Sequence, residues 1–190
     1  KVKSDVLAQE ARFKVARTSY FKGDFVWAKA QTDVLRKSTT QLIANDALKM
    51  TLMIHDNTLE DSLQTALKKY ARADFLALQN KDAQAIEVLS EILTTHKGEK
   101  IEDEALLKQA ELYQKTGQYK KAEANYLKII AVYKDEILAD DAYFNLANLY
   151  EHQLQDPQKA KQYYEQIIFD FADSIYFTQA RKKYRMLRGS

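Results

Sequence analysis

Along most of the chain, apolar residues recur at steps of three and four, the spacing of one buried face of an α-helix. Short polar stretches with helix-stopping residues, such as Gly23, Asn80 and Gly117, interrupt this pattern. Asp156-Pro157 is a strong helix start, because an N-cap residue precedes a proline suited to the first helical position. The pattern predicts an all-α fold of about ten helices with connections of about two to five residues.

The predicted helices cover residues 4–22, 25–37, 42–55, 59–79, 82–95, 101–115, 119–133, 137–153, 158–171 and 174–187. We expect Asp24 to cap the second helix, with Trp27, Val34 and Leu35 on one face.

The polar residues Ser38-Thr39-Thr40 break the pattern before the third helix. Thr58 is the predicted N-cap of the fourth helix, and Asp61 lies in its first turn, where the helix dipole favours an acid.

A small residue recurs at a nearly constant interval in the second half of the chain. Ala85, Ala122 and Ala160 are separated by 122 − 85 = 37 and 160 − 122 = 38 residues. Four positions after each alanine stands a large residue: Leu89, Tyr126 and Tyr164. An interval of this length indicates a stacked array of similar units, with the alanine where two helices cross closely.

The periodicity is regular over residues 66–172 and weaker before them. In the pair 4–37, Ser19 and Thr32 stand where the pattern requires large apolar residues. The interval from Ala28 to Ala85, 85 − 28 = 57, is not a multiple of the repeat. We therefore expect an irregular extra helix over residues 41–56.

The stretch Tyr113-Gln114-Lys115-Thr116-Gly117-Gln118-Tyr119-Lys120-Lys121-Ala122, together with the alanine period, resembles the tetratricopeptide repeat (TPR). The resemblance implies a right-handed solenoid of antiparallel helix pairs. It would form one superhelical domain over residues 1–190, closed by a capping helix over 174–187. The long, tyrosine-rich repeats are similar to bacterial envelope scaffolds such as the outer-membrane assembly lipoprotein and the cell-division coordinator. This similarity implies an envelope location, with the cytoplasm as the alternative. Since the chain starts at Lys1, we expect a fragment or a processed form.

Composition and charge narrow the possible partners. The chain is 46% hydrophobic and 29% charged and has no cysteine, which excludes disulfides and thiolate chemistry. No apolar run reaches the roughly 18 residues of a membrane span. Residues 99–173 hold 9 lysines and 15 acidic residues, which gives a net charge of 9 − 15 = −6. Residues 174–190 hold five basic residues and no acidic one. This asymmetry favours basic partners or head-to-tail self-association over a nucleic-acid track.

The sequence offers no catalytic, cofactor or metal site. His55, His96 and His152 stand on different elements without ligand spacing. The paired carboxylates lie at predicted helix starts, where capping and the dipole account for them. There is no phosphate-binding glycine loop and no serine nucleophile motif. We therefore expect no enzyme activity and no cofactor.

In the TPR family the first helix of each pair lines a concave groove that binds partner segments. The resemblance places the following residues in that groove: Tyr70, Asp74, Leu107, Glu111, Phe144 and Asn148. Asp74 and Glu111 stand where one family branch uses basic and amide residues to hold a carboxylate, so we expect a protein or peptide partner with basic and apolar residues. Two alternatives stay open. The carboxylates could be solvated surface only, or the chain could be a structural section of a larger assembly, self-association included.

Overall fold

The computed structural model describes residues 2–37, 41–58 and 64–189. Within these ranges the chain is all-α, with ten helices and no strand, as the hydrophobic pattern predicts. The helices are α1 (Val2–Phe21), α2 (Phe25–Leu35), α3 (Gln41–Thr58), α4 (Thr65–Leu78), α5 (Asp82–Thr95), α6 (Ile101–Lys115), α7 (Tyr119–Val132), α8 (Ala139–His152), α9 (Pro157–Asp170) and α10 (Phe177–Arg188). Ser38, Thr39, Thr40 and Asp61 lie outside the described residues.

Most predicted helix ends are confirmed, for the expected physical reasons. Gly23, Asn80 and Gly117 have φ values of +80°, +58° and +74°, a left-handed conformation that ends a right-handed helix. The Asp156 carboxylate accepts a 3.0 Å hydrogen bond from the backbone N–H of Lys159, directly before Pro157 begins α9. Local capping therefore fixes these short connections.

The predicted start of the fourth helix is wrong. Thr58 is the last residue of α3, and its hydroxyl donates back to the His55 carbonyl at 3.2 Å. Gln64 has φ +53° and directly precedes Thr65, the first residue of α4. A left-handed residue cannot continue a right-handed helix, so the helix predicted from residue 59 starts at Thr65 instead.

Asp24 caps α2 as predicted, accepting from the Trp27 N–H at 3.2 Å. The face that carries Trp27 and Val34 is not the buried face of α2, however. Trp27 and Val34 are exposed, while Phe25, Ala28, Thr32 and Leu35 are buried. The buried positions follow the helical period from Phe25, so Leu35 alone of the predicted three faces the core.

The chain divides into two compact units, Lys1–Ile101 and Glu102–Ser190. The single superhelical domain inferred from the resemblance stays a prediction. In the first unit α1 packs on α2, α2 on α3, and α4 on α5. Thr32, which departs from the repeat pattern, is fully buried and accepts a 2.7 Å hydrogen bond from the Thr51 hydroxyl of α3. The irregular helix thus supplies the hydrogen-bond partner that makes this buried hydroxyl tolerable.

In both units the recurring alanines lie in the core. Ala85, Ala122 and Ala160 are fully buried, which agrees with their proposed place at close helix crossings. In the second unit, Tyr126 and Tyr164 are fully buried as well. The small and large residues of the repeat therefore pack together in each helix pair.

Tyrosine hydroxyls join neighbouring helices of the second unit. In each case the hydroxyl donates to a glutamate on the preceding helix: Tyr150 to Glu123, Tyr164 to Glu151 and Tyr184 to Glu165. Burial alone would raise the pKa of Glu123, but hydrogen bonds from Tyr150 and Lys120 outweigh it and hold that pKa below its usual value. These bonds connect α7, α8, α9 and α10 in series.

Candidate protein-interaction surface

The predicted groove residues of the second unit come from the first helices of two successive pairs. Leu107 and Glu111 lie one turn apart on α6, and Phe144 and Asn148 lie one turn apart on α8. This placement follows from the regular alanine period, which sets the same register for both helices. The four side chains nevertheless have different surroundings.

Phe144 and Asn148 are engaged within the unit. Phe144 is 7% exposed, and its ring stacks on that of Tyr176 with centroids 4.3 Å apart and planes inclined by 12°. The Asn148 side-chain oxygen accepts from the Tyr164 hydroxyl at 2.8 Å, and its amide nitrogen donates to the Phe144 carbonyl at 3.0 Å. Both side chains therefore help to build the surface, because their contacts are already made inside it.

Leu107 and Glu111 face outward. Leu107 is half-buried, and the Glu111 side chain is 48% exposed, with the Lys108 ammonium 3.9 Å from its carboxylate. An exposed ion pair at this distance contributes little to stability. The Glu111 carboxylate is accordingly accessible to a partner, next to the apolar, half-buried side chain of Leu107.

In the same region, carboxylates from two helices lie near the same tyrosine hydroxyls. Asp141, buried on α8, accepts a hydrogen bond from the Tyr176 hydroxyl. The pKa values of Tyr126 and Tyr176 are both raised, first by burial and then by the nearby carboxylates, which for each tyrosine include Glu111 and Asp141. Two carboxylates from different helices thus act on the same hydroxyls, which makes this side of the unit favourable for a positive charge.

In the first unit, Tyr70 and Asp74 lie one turn apart on α4. Tyr70 is buried, with 8% of its surface exposed, and Asp74 is half-buried. This unit therefore presents one carboxylate next to a mostly covered aromatic ring, a smaller accessible surface than the predicted pair suggests.

The sequence reasoning missed the role of Tyr176. Its ring covers Phe144 and its hydroxyl binds Asp141, although it precedes α10 and lies 35 residues after Asp141. Its position in the repeat was the available signal, since Tyr176 directly precedes α10 as Leu138 directly precedes α8, and 176 − 138 = 38 is the repeat interval.

Among the described residues, no group of three or more His, Asp or Glu is arranged to hold a metal ion. No helix in the described part of the chain is long and apolar enough to cross a membrane.

Two comparisons with known proteins agree with this arrangement. Residues 101–168, which include α6 to α8 and most of α9, match the family model of the tetratricopeptide repeat. The fold is similar to the crystal structure of a tetratricopeptide repeat protein from Parabacteroides merdae ATCC 43184, with a TM-score of 0.51 and 19% sequence identity. The similarity covers 96% of this chain and 61% of that protein, so the chain spans less than two thirds of its length. No curated protein matches the chain. The described helices thus have a TPR-like fold, and the match to the repeat family lies in the second half of the chain.

Proposed function

We propose that the chain is a non-catalytic scaffold that binds a segment of a partner protein along the first helices of its repeats. Tetratricopeptide repeats generally mediate protein–protein interaction, and the matched residues 101–168 contain the candidate surface of α6 and α8. The proposed setting of this scaffold is the bacterial envelope, as the tyrosine-rich repeats suggest.

The observation that carries the proposal is the exposed Glu111 carboxylate beside half-buried Leu107, with the Asp141 carboxylate acting on the same Tyr176 hydroxyl. Such a surface favours a segment with a lysine or arginine next to an aliphatic or aromatic residue. Phe144 and Asn148 shape this surface from below. In the first unit, Tyr70 and Asp74 provide the corresponding, smaller contact.

A random peptide library displayed on phage, selected against the immobilised chain, tests the partner chemistry while the partner itself is unidentified. We expect the enriched peptides to share a basic residue next to an apolar one. Enrichment of acidic peptides, or no enrichment, would contradict the proposal.

A charge reversal then tests the site. Glu111→Lys should weaken binding of an enriched peptide by about tenfold, or ~1.4 kcal/mol, because it turns an attraction into a repulsion. The matched control is Glu87→Lys, which makes the same charge change at an exposed position of α5, a second helix of its pair. Equal affinities of the two variants would place the peptide elsewhere.

A further inference from the structure

A cleft of about 660 Å³ opens in the second unit, where the α7–α8 and α9–α10 connections come together. Its walls are partly apolar: the rings of Tyr143 and Phe171 lie 5.3 Å apart, and Ile137 is 65% exposed. Its rim is strongly acidic, with Lys134 as its basic lining residue and five carboxylates: Asp135, Glu136, Asp140, Asp170 and Asp173.

Most of this negative charge is uncompensated. Within the described part of the chain, no lysine or arginine forms an ion pair with Asp135, Glu136 or Asp173. Asp170 lies in the last turn of α9, at the end of the helix where the dipole disfavours an acid. The cleft therefore holds negative charge at a cost to the isolated unit, and a positively charged partner would relieve it.

The same unit carries an uncompensated basic surface on α10. Lys183 pairs with Glu151 at 2.9 Å, but the other four basic residues are exposed and form no ion pair with an acid of the described residues. These residues are Arg181, Lys182, Arg185 and Arg188. Met186, which is also exposed, adds an apolar contact to this basic face.

We propose that the acidic cleft receives the basic face of α10 from a second copy of the chain. Among the described residues no ion pair joins the two surfaces within the unit, so each copy offers both halves of a complementary pair to another copy. The apolar walls of the cleft give Met186 a surface on which to pack. Because the two surfaces differ, the contact is heterologous, and its repetition gives open head-to-tail chains unless a ring closes. The proposal concerns a different surface from that of Glu111 and does not depend on the proposed function.

Sedimentation velocity over a range of protein concentrations tests the contact. We expect the wild-type chain to self-associate at about 0.05 M salt and to dissociate at about 0.5 M, since opposite charges near the surface are screened. A chain that stays monomeric at low salt and high concentration would overturn the proposal. This holds even if the cleft then proves to bind a different basic protein.

Two charge-reversal variants identify the surfaces. Asp135→Lys/Asp173→Lys changes the cleft and Arg181→Glu/Arg185→Glu changes α10, all at exposed positions. Each variant alone should weaken self-association by at least about tenfold, because the two substitutions cancel the net charge of the altered surface and so remove its attraction to the intact one. An equimolar mixture of the two should associate again, because the unchanged α10 of the cleft variant can bind the unchanged cleft of the α10 variant.

The mixture separates the proposal from misfolding, since a variant with a damaged fold would not recover association with its counterpart. Circular dichroism checks the helix content of each variant. Glu87→Lys, at an exposed position of α5 in the first unit, is the control for the charge change and should associate like the wild type. Association that persists in either reversal variant, or a mixture that stays monomeric, would overturn the assignment.

Discussion

Removal of a single oxygen from Tyr164 tests how the second unit is held together. The fully buried Tyr164 places its hydroxyl 2.8 Å from both the Glu151 carboxylate and the Asn148 side-chain oxygen. A hydroxyl has one hydrogen, so Tyr164→Phe removes the equivalent of one donated bond and leaves the ring packing unchanged.

The expected loss follows from what remains at Glu151. A hydrogen bond to a charged group contributes about 1.5–3 kcal/mol. Glu151 keeps the Lys183 ammonium at 2.9 Å, and its side chain is 16% exposed, so part of the loss is recovered from lysine and water. We therefore expect the lower part of the range, about 1.5–2 kcal/mol. For a chain of this size this corresponds to a decrease in Tm of about 3–8 °C.

Urea unfolding followed by circular dichroism gives the free energy of unfolding of each variant. The control is Tyr163→Phe on the same helix. The Tyr163 ring stacks on Tyr150 with centroids 5.6 Å apart, and its hydroxyl has no hydrogen bond to the described residues. The control should stay within about 0.5 kcal/mol of the wild type. Equal losses for Tyr164→Phe and Tyr163→Phe would refute the reasoning.

Three further changes test other parts of the fold. Ala122→Leu should cost about 1–3 kcal/mol by overpacking the helix crossing, measured by urea unfolding, whereas Ala124→Leu at an exposed position of the same helix should stay within about 0.5 kcal/mol; similar values would mean that Ala122 does not lie at a crossing. Thr32→Val should cost about 1–3 kcal/mol because it leaves the buried Thr51 hydroxyl without its acceptor, and unchanged thermal stability would contradict this. The pKa of Glu123 is lowered from its usual 4.5, so its contribution to stability is complete above that value and is lost as the pH falls through the folded-state pKa. Glu123→Gln should therefore lose less stability than the wild type between about pH 5 and pH 3, and an identical pH profile would contradict the assignment.

Features governed by short sequence spacing were predictable. The alanine period indicates the register of the helix pairs, since close crossings require a small side chain at every repeat. Gly117 and Asp156-Pro157 mark helix ends correctly, because their conformational preferences act within one turn.

Features that depend on distant partners were not predictable in this way. Thr32 does not fit the apolar pattern and is nevertheless buried, because Thr51 binds it from 19 residues further on. In the sequence, the helix dipole alone explains why an acidic residue such as Glu102 stands at a helix start. In the structure, however, Glu102 is buried and pairs with Lys128, 26 residues away. A one-dimensional pattern shows that a residue is unusual and cannot identify its partner.

The candidate site shows the same division. Position in the repeat predicts that Leu107 and Glu111 lie on the accessible side of α6, where a partner segment could contact them. It also assigns Phe144 to partner binding, although Tyr176 covers the Phe144 ring. The repeat register defines which side of a helix a residue occupies, whereas its accessibility depends on what the next element places over it.

Amide chemical-shift mapping with an enriched peptide tests the central claim most directly, because it locates the bound segment on the 22.0 kDa chain without any substitution. We predict that the largest shift changes fall on α6 around Leu107 and Glu111 and on the accessible residues of α8. Changes confined to α7 and α9, or no change at saturating peptide, would contradict binding along the first helices of the repeats.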